Sequence, residues 1–373
     1  MPNILHPIRR VALGAFAAAV FVVTAHGQGG IAPSEANHFV GTPAGWVHPK
    51  TPWGDPDLQG MWPISYVGSV PLERCAGGGG RPGGPPAPPC DLNKAFLTEE
   101  EYNGRIGAAA KRVDPHAQAI AEGNFGRALL SGVTDPTSVQ RQTSLIVDPP
   151  NGKLPELTPE GKRLSALMKS SWALNQQEKQ TWDGPEDFDT WDRCITRGMP
   201  SSMFPFRYNN GVQILQVPGY VIFNMEMIHE ARMIPVDGRP GVSPAIKEWM
   251  GESRGHWEGN TLVIVTTNFK AGASMTNIGV MGSPQGNRMP TSEQMKITER
   301  LTRLNNDFIL YEIKTEDPVV LTRPWTTRFP LKLDNKYEWW EYACHEGNRT
   351  IPDYVHTSRA ERAKDAAGTS SHP

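Results

Sequence analysis

The carboxyl-terminal half of the chain is patterned in short alternations of apolar and polar residues, the spacing of half-buried strands. Val212 to Val217 is one such run. Pro218-Gly219, a turn dipeptide, follows it, and Tyr220 to Ile234 then reads as a second strand closed by Asp237-Gly238. Trp257-Glu258-Gly259-Asn260 predicts a tight turn into Thr261 to Phe269, a run dense in Thr, Val and Ile. From Met295 to Leu304, Ile297, Glu299 and Leu301 alternate with Thr298, Arg300 and Thr302. Asn305-Asn306-Asp307 then turns the chain into Phe308 to Thr315. Two more strands are predicted at Trp325 to Leu333 and Tyr337 to Cys344. Short strands joined in order by turns predict a mainly β fold, an antiparallel meander that closes into a barrel or folds as a sandwich.

The amino-terminal half reads differently. Leu58-Gln59-Gly60-Met61-Trp62 predicts a first strand, and residues 57–358 are taken as one β-rich domain. Residues 76–90 hold a Gly/Pro run that supports neither helix nor strand, because proline lacks a donor and glycine costs backbone entropy. Thr98 before three glutamates predicts an N-cap with an acidic first turn, hence a helix over about 98–111. Thr158-Pro159-Glu160 opens a second predicted helix, over about 158–180, through Leu164, Leu167 and Met168. Residues 26–56 predict a loosely ordered arm and 359–373 a polar tail.

Residues 1–25 have the three parts of a secretory signal: Arg9 and Arg10, an apolar run from Val11 to Val23, and small residues around Ala25 and Gly27. That run falls short of the ~20 residues a bilayer span needs, so a cleaved signal and a periplasmic or secreted destination are expected. No later stretch reads as a span. Basic and acidic residues nearly balance, 37 against 39, which argues against a nucleic-acid partner. The four cysteines predict two disulfides in an oxidising compartment. The expected pairs are Cys75–Cys90, which clips the Gly/Pro loop, and Cys194–Cys344, which ties the start of the β-rich region to its end. In the chain-entropy description they contribute roughly 3 and 5 kcal/mol. No CxxC or paired Cys/His spacing supports zinc instead.

Two resemblances add to this. Gly60-Met61-Trp62 is similar to the Gly-x-Trp opening of lipocalin-like barrels, which makes a lipocalin-like barrel the expected closure. The region from Cys194 to Asn348 resembles a large uncharacterised family of exported bacterial β-rich proteins. The likeness rests on Met227-Ile228-His229-Glu230-Ala231-Arg232, Pro235 to Pro240, Trp249 to Val263 with its Trp-Glu-Gly-Asn-Thr-Leu-Val core, Thr298-Glu299-Arg300, Thr322 to Thr326, and Glu341-Tyr342-Ala343-Cys344-His345-Glu346-Gly347-Asn348. It implies export and a shared β-rich fold. The chain departs from the pattern at Val265, where many members have aspartate, and at Lys296, where many have histidine.

Candidate chemistry follows from strand parity, since alternate residues of a barrel strand face the lumen. If Tyr220 to Ile234 is one strand, Met225, Met227, His229 and Met233 share a face, opposite Glu226, Glu230 and Arg232. Methionines around one imidazole suit an apolar or aromatic ligand and a base that titrates near neutrality; the same residues also build an ordinary core. Glu299, inward with Ile297 and Leu301, needs a partner or a raised pKa, and Glu312 and Glu341 pose the same question. Arg232, Arg303, Arg323 and Arg328 are the available partners. Trp257, Trp325 and Trp339 are expected to line the cavity or fill the core. No phosphate-binding glycine loop followed by Lys-Ser/Thr and no metal motif occurs, so neither a cofactor nor a metal is expected. The expected function is an acid/base lyase, isomerase or hydrolase acting on a small apolar or aromatic molecule. His229 would be its base, Glu299 and Glu341 its carboxylates, and Arg232 an orienting group. The alternative is a ligand-binding protein without chemistry.

Overall fold

The computed structural model describes residues 41–75, 90–111, 118, 120–124, 139–169, 171, 180–206, 208–276, 283–284 and 289–366. The predicted signal, residues 26–40 of the arm, 76–89 of the loop and 367–373 of the tail lie outside the described residues. The fold is mainly β, built on two antiparallel sheets. The smaller comprises β1 (Gly60–Met61), β3 (Val212–Val217), β4 (Tyr220–Met225) and β5 (Glu230–Pro235), in the order β1-β3-β4-β5. The larger runs β2-β10-β9-β8-β7-β6, from β2 (Ile146–Asp148), β10 (Trp325–Lys332), β9 (Phe308–Glu316), β8 (Lys296–Arg303), β7 (Thr261–Thr267) and β6 (Glu252–Glu258). Among the described residues no ladder joins the two sheets into a closed one. They do approach at both ends of the order. A Cβ on Gly255 of β6 would lie 2.8 Å from Val236, just beyond β5, and the Asp334 N–H beyond β10 donates to Met61 O at 2.9 Å.

Alternation works as the sequence predicts in β8 and β9. Ile297, Glu299 and Leu301 are buried together with Ile309, Tyr311 and Ile313. One apolar cluster takes residues from both sheets, including Phe223, Ile234, Leu262, Ile264, Tyr311, Trp325 and Phe329. Trp62, Leu58 and Ile64 join it from the amino-terminal segment, and the Trp62 indole N–H is satisfied by Leu58 O at 2.9 Å.

Several expectations need correcting. Tyr220 to Ile234 is a hairpin, not one strand: a 3-10 turn at Met227–His229 interrupts it, with Ile228 and His229 at φ 61° and 44°. The turn resets parity. Met225 of β4 therefore shares the buried face with Arg232 and Ile234 of β5, while Met233 points outward at 69 % exposure. Residues 252–258, read partly as turn, form β6, and the two-residue loop at Gly259-Asn260 closes the β6–β7 hairpin with Gly259 at φ 61°. Tyr337 to Cys344 forms no strand, because its polar contacts go to a buried carboxylate instead of a ladder. Part of the predicted arm is fixed: Thr51 N–H donates to Asp55 O at 2.8 Å, and Pro49 O accepts from Asp57 N at 2.9 Å. The predicted tail is helical as far as Ala366, within α3 (Thr350–Ala366).

Helix α1 (Glu99–Ala110) carries the predicted cap, a reciprocal Thr98–Glu101 capping box. Helix α2 (Pro159–Leu167) starts at Thr158 as expected but stops early, since Met168 is already extended at ψ 130°. Gly161 lets α2 sit directly on the chain after β9. A Cβ there would lie 2.3 Å from Val320 O. Gly161→Ala is therefore expected to cost about 1–3 kcal/mol through overpacking, read as a lower urea midpoint at unchanged slope.

Candidate functional site

Arg232 and Glu299 meet between the sheets. Arg232 Nη1 donates to Glu299 Oε1 at 3.0 Å and Nη2 to Oε2 at 2.5 Å, with both side chains buried. The Tyr311 hydroxyl donates to Glu299 Oε1, and Nη2 also reaches Ser253 Oγ at 3.1 Å. Burial alone would lower the pKa of Arg232, but the charge and hydrogen bonds of Glu299 hold it above the ordinary value. Burial, with the same carboxylate, raises the Tyr311 phenol well above its usual range. Buried and bidentate, with Tyr311 on the carboxylate, the pair has the geometry of a structural ion pair rather than of an exposed acid/base couple.

The other predicted catalytic residues do not join it. His229 is exposed beyond β4, and its Nδ1 lies 3.0 Å from Tyr342 O. Glu341 is exposed one residue before Tyr342. Among the described residues neither makes a hydrogen bond or ion pair with Arg232 or Glu299. Met225 is buried in the main core, and Met227 in a separate cluster with Trp191 and Ile228. Trp325 is fully buried, and among the described residues its indole N–H has no acceptor. Trp257 is half-buried against the core, and Trp339 is 39 % exposed with its ring over Gly211. Glu312 pairs with Arg328, the ordinary ion pair. Both expected disulfides are present, Cys75–Cys90 and Cys194–Cys344.

Two carboxylates stand out in the structure instead. Glu226, 1 % exposed at the end of β4, accepts from Gly211 N at 2.9 Å, Tyr337 Oη at 2.5 Å and Trp340 N at 2.7 Å. It fastens residues 337–340 to the smaller sheet in place of the predicted strand. Glu230 opens β5 and accepts from Thr196 Oγ1 at 2.7 Å. Burial raises its carboxyl pKa, and the Thr196 hydrogen bond and the charges of Arg232 and His229 offset only part of that.

A concave site lies elsewhere, where the end of α2 meets residues 186–189, 271–272 and 290–292. The cleft has a volume of about 370 Å³. Leu164, Leu167, Met168, Phe188 and Pro290 supply apolar wall, and Lys169, Asp187, Asp189, Thr291 and Ser292 supply polar groups. Lys169 Nζ pairs with Asp187 Oδ1 at 2.5 Å. Buried Asp317 holds Ser292 through its N–H at 2.8 Å and its hydroxyl at 2.7 Å. None of the residues singled out for chemistry lines it. One available signal is Leu167, an apolar residue at a helix end left 66 % exposed. Its convergence with residues 271–292 is long-range and invisible to local pattern.

No protein-family model, curated protein or solved structure matches this chain.

Glu299→Ala would leave the Arg232 guanidinium buried without a counter-charge, at an expected cost of about 3–5 kcal/mol. The double replacement Arg232→Met with Glu299→Leu should recover most of that loss, as urea denaturation of the three variants would show. For Glu230 the folded pKa lies above the unfolded one. Its stabilisation is therefore complete below the ordinary glutamate range and is lost as pH rises through the raised value. The stability of the wild type relative to Glu230→Gln should accordingly fall across that window, and a pH series of denaturation curves would measure it.

Proposed function

We propose that this chain is an exported, periplasmic or secreted protein that binds a small, largely apolar molecule. The observation that carries this reading is the cleft at the end of α2, whose volume of about 370 Å³ falls in the range of small-molecule sites. Its apolar wall broken by a few polar groups is the composition such sites have. Export draws support from the amino-terminal sequence, from the two disulfides, and from the resemblance of residues 194–348 to exported bacterial β-rich proteins. No helix among the described residues is long and apolar enough to cross a membrane. We read the two sheets as parts of a lipocalin-like barrel, on the approach of β5 to β6 and of β10 to β1. Its interior is occupied by side chains, so the ligand site falls outside it. An acid/base enzyme is the second reading. The observation favouring it is Glu230, a carboxyl with a raised pKa next in sequence to His229.

The neutral dye N-phenyl-1-naphthylamine is expected to brighten on binding the wild-type protein and to saturate. Ala271→Trp, which fills the cleft, should weaken that binding about tenfold or more, a loss of ~1.4 kcal/mol or greater. Dye that fails to bind the wild type, or that binds the variant equally well, would overturn the reading.

A further inference from the structure

Three arginines are buried: Arg74, which donates to the Leu92 and Pro150 carbonyls and to Thr143 Oγ1, Arg197 and Arg232. Arg232 faces Glu299, whereas Arg197, 5 % exposed, has no carboxylate within ion-pair distance among the described residues. A guanidinium carries five N–H donors. Arg197 spends one from Nη2 on Phe204 O at 3.1 Å, and among the described residues its buried Nε has no acceptor. The rings of Trp191 and Phe206 lie 5.5 and 5.4 Å from its guanidinium carbon. Cation–π attraction does not replace a hydrogen-bonded anion. Burial pulls the pKa of Arg197 below its usual value.

The surroundings are aromatic and reach the surface. Phe206 packs edge-on to Trp191 at 4.9 Å and to Tyr208 at 4.8 Å, while Tyr208 and Tyr342 lie nearly parallel, 18° apart in plane, at a wider 6.5 Å. Tyr208, Phe206 and Tyr342 are half-buried, so the cluster reaches the surface. Trp191 Nε1 donates to Tyr342 Oη at 3.3 Å, and Tyr342 is held in place by the Cys194–Cys344 bond two residues away and by His229 on its carbonyl. Covalent and hydrogen-bonded anchors thus fix an aromatic wall beside an unpaired buried cation.

We propose that Arg197, walled by Trp191, Phe206, Tyr208 and Tyr342, is an anion-binding site for the carboxylate of a small aromatic acid. The carboxylate takes the unspent guanidinium donors, and its ring packs against the tyrosines. This site is separate from the α2 cleft, which contains none of these residues.

Benzoate and its neutral analogue benzamide are the probes, titrated into the full wild-type chain by calorimetry and by tryptophan fluorescence. Benzoate is expected to bind and to shift the emission, with benzamide about tenfold weaker or more, as loss of a charge-assisted pair requires. Equal binding of the two, or no binding of benzoate, overturns the proposal without any variant. Arg197→Gln should abolish the preference for benzoate. If that variant does not fold, Tyr342→Ala and Arg197→Lys take its place. Tyr342→Ala should weaken benzoate severalfold and Arg197→Lys should retain part of the preference; unchanged benzoate binding in Tyr342→Ala, or no preference left in Arg197→Lys, would count against the site.

Discussion

Glu299 of β8 and Arg232 of β5 meet through two nitrogen–oxygen contacts across the space between the sheets, with Tyr311 of β9 closing the carboxylate from the third side. Two charges taken this far from water are tolerated only when each lone pair and proton has a partner, and the attraction then roughly repays the desolvation. Such a pair adds little net stability, but it is highly selective. A one-residue slip of β5 or β8 would turn Arg232 or Glu299 toward solvent and leave the other buried alone. The register of the smaller sheet against the larger one follows from this constraint, as does the parity reset at Met227–His229 that brings Arg232 inward.

The same rule explains the irregular carboxyl-terminal segment. Glu226 is as buried as Glu299 but has no cation. It is satisfied by the Gly211 and Trp340 N–H groups and the Tyr337 hydroxyl. Residues 337–340 therefore lie on the smaller sheet as a strap, and the Cys194–Cys344 bond continues the attachment to the segment that carries Arg197. Three buried charges thus receive three different solutions: an ion pair at Glu299, neutral donors at Glu226, and aromatic rings at Arg197. Of the three, only Arg197 combines an unspent buried Nε with the absence of a carboxylate within ion-pair distance among the described residues.

Much of the architecture was legible along the chain. The limits of β3, β8 and β9 follow their alternation to within a residue or two, because each of these strands has one face in the core and one toward polar surroundings. The caps at Thr98 and Thr158 are local chemistry and were readable as such. The site was far less legible. His229 and Arg232 looked like members of one strand, yet the turn between Met225 and Glu230 has no glycine or proline to announce it; its left-handed positions are occupied by Ile228 and His229. Met225 and Trp325 were candidates for a cavity wall and are core, since cavities and cores draw on the same residue types.

What the amino-acid order determined by itself is the course of β3, β7, β8, β9 and β10, the starts of α1 and α2 and the inward parity of Glu299, all consequences of interactions between residues a few positions apart. Tertiary structure alone decided which cation faces Glu299, which carboxylate holds Tyr337, which arginine lacks a counter-charge, and where a cleft opens. Each of those depends on residues tens to more than a hundred positions apart. Their desolvation is set by packing, and a buried charge acquires its chemical meaning only from the neighbours that packing supplies.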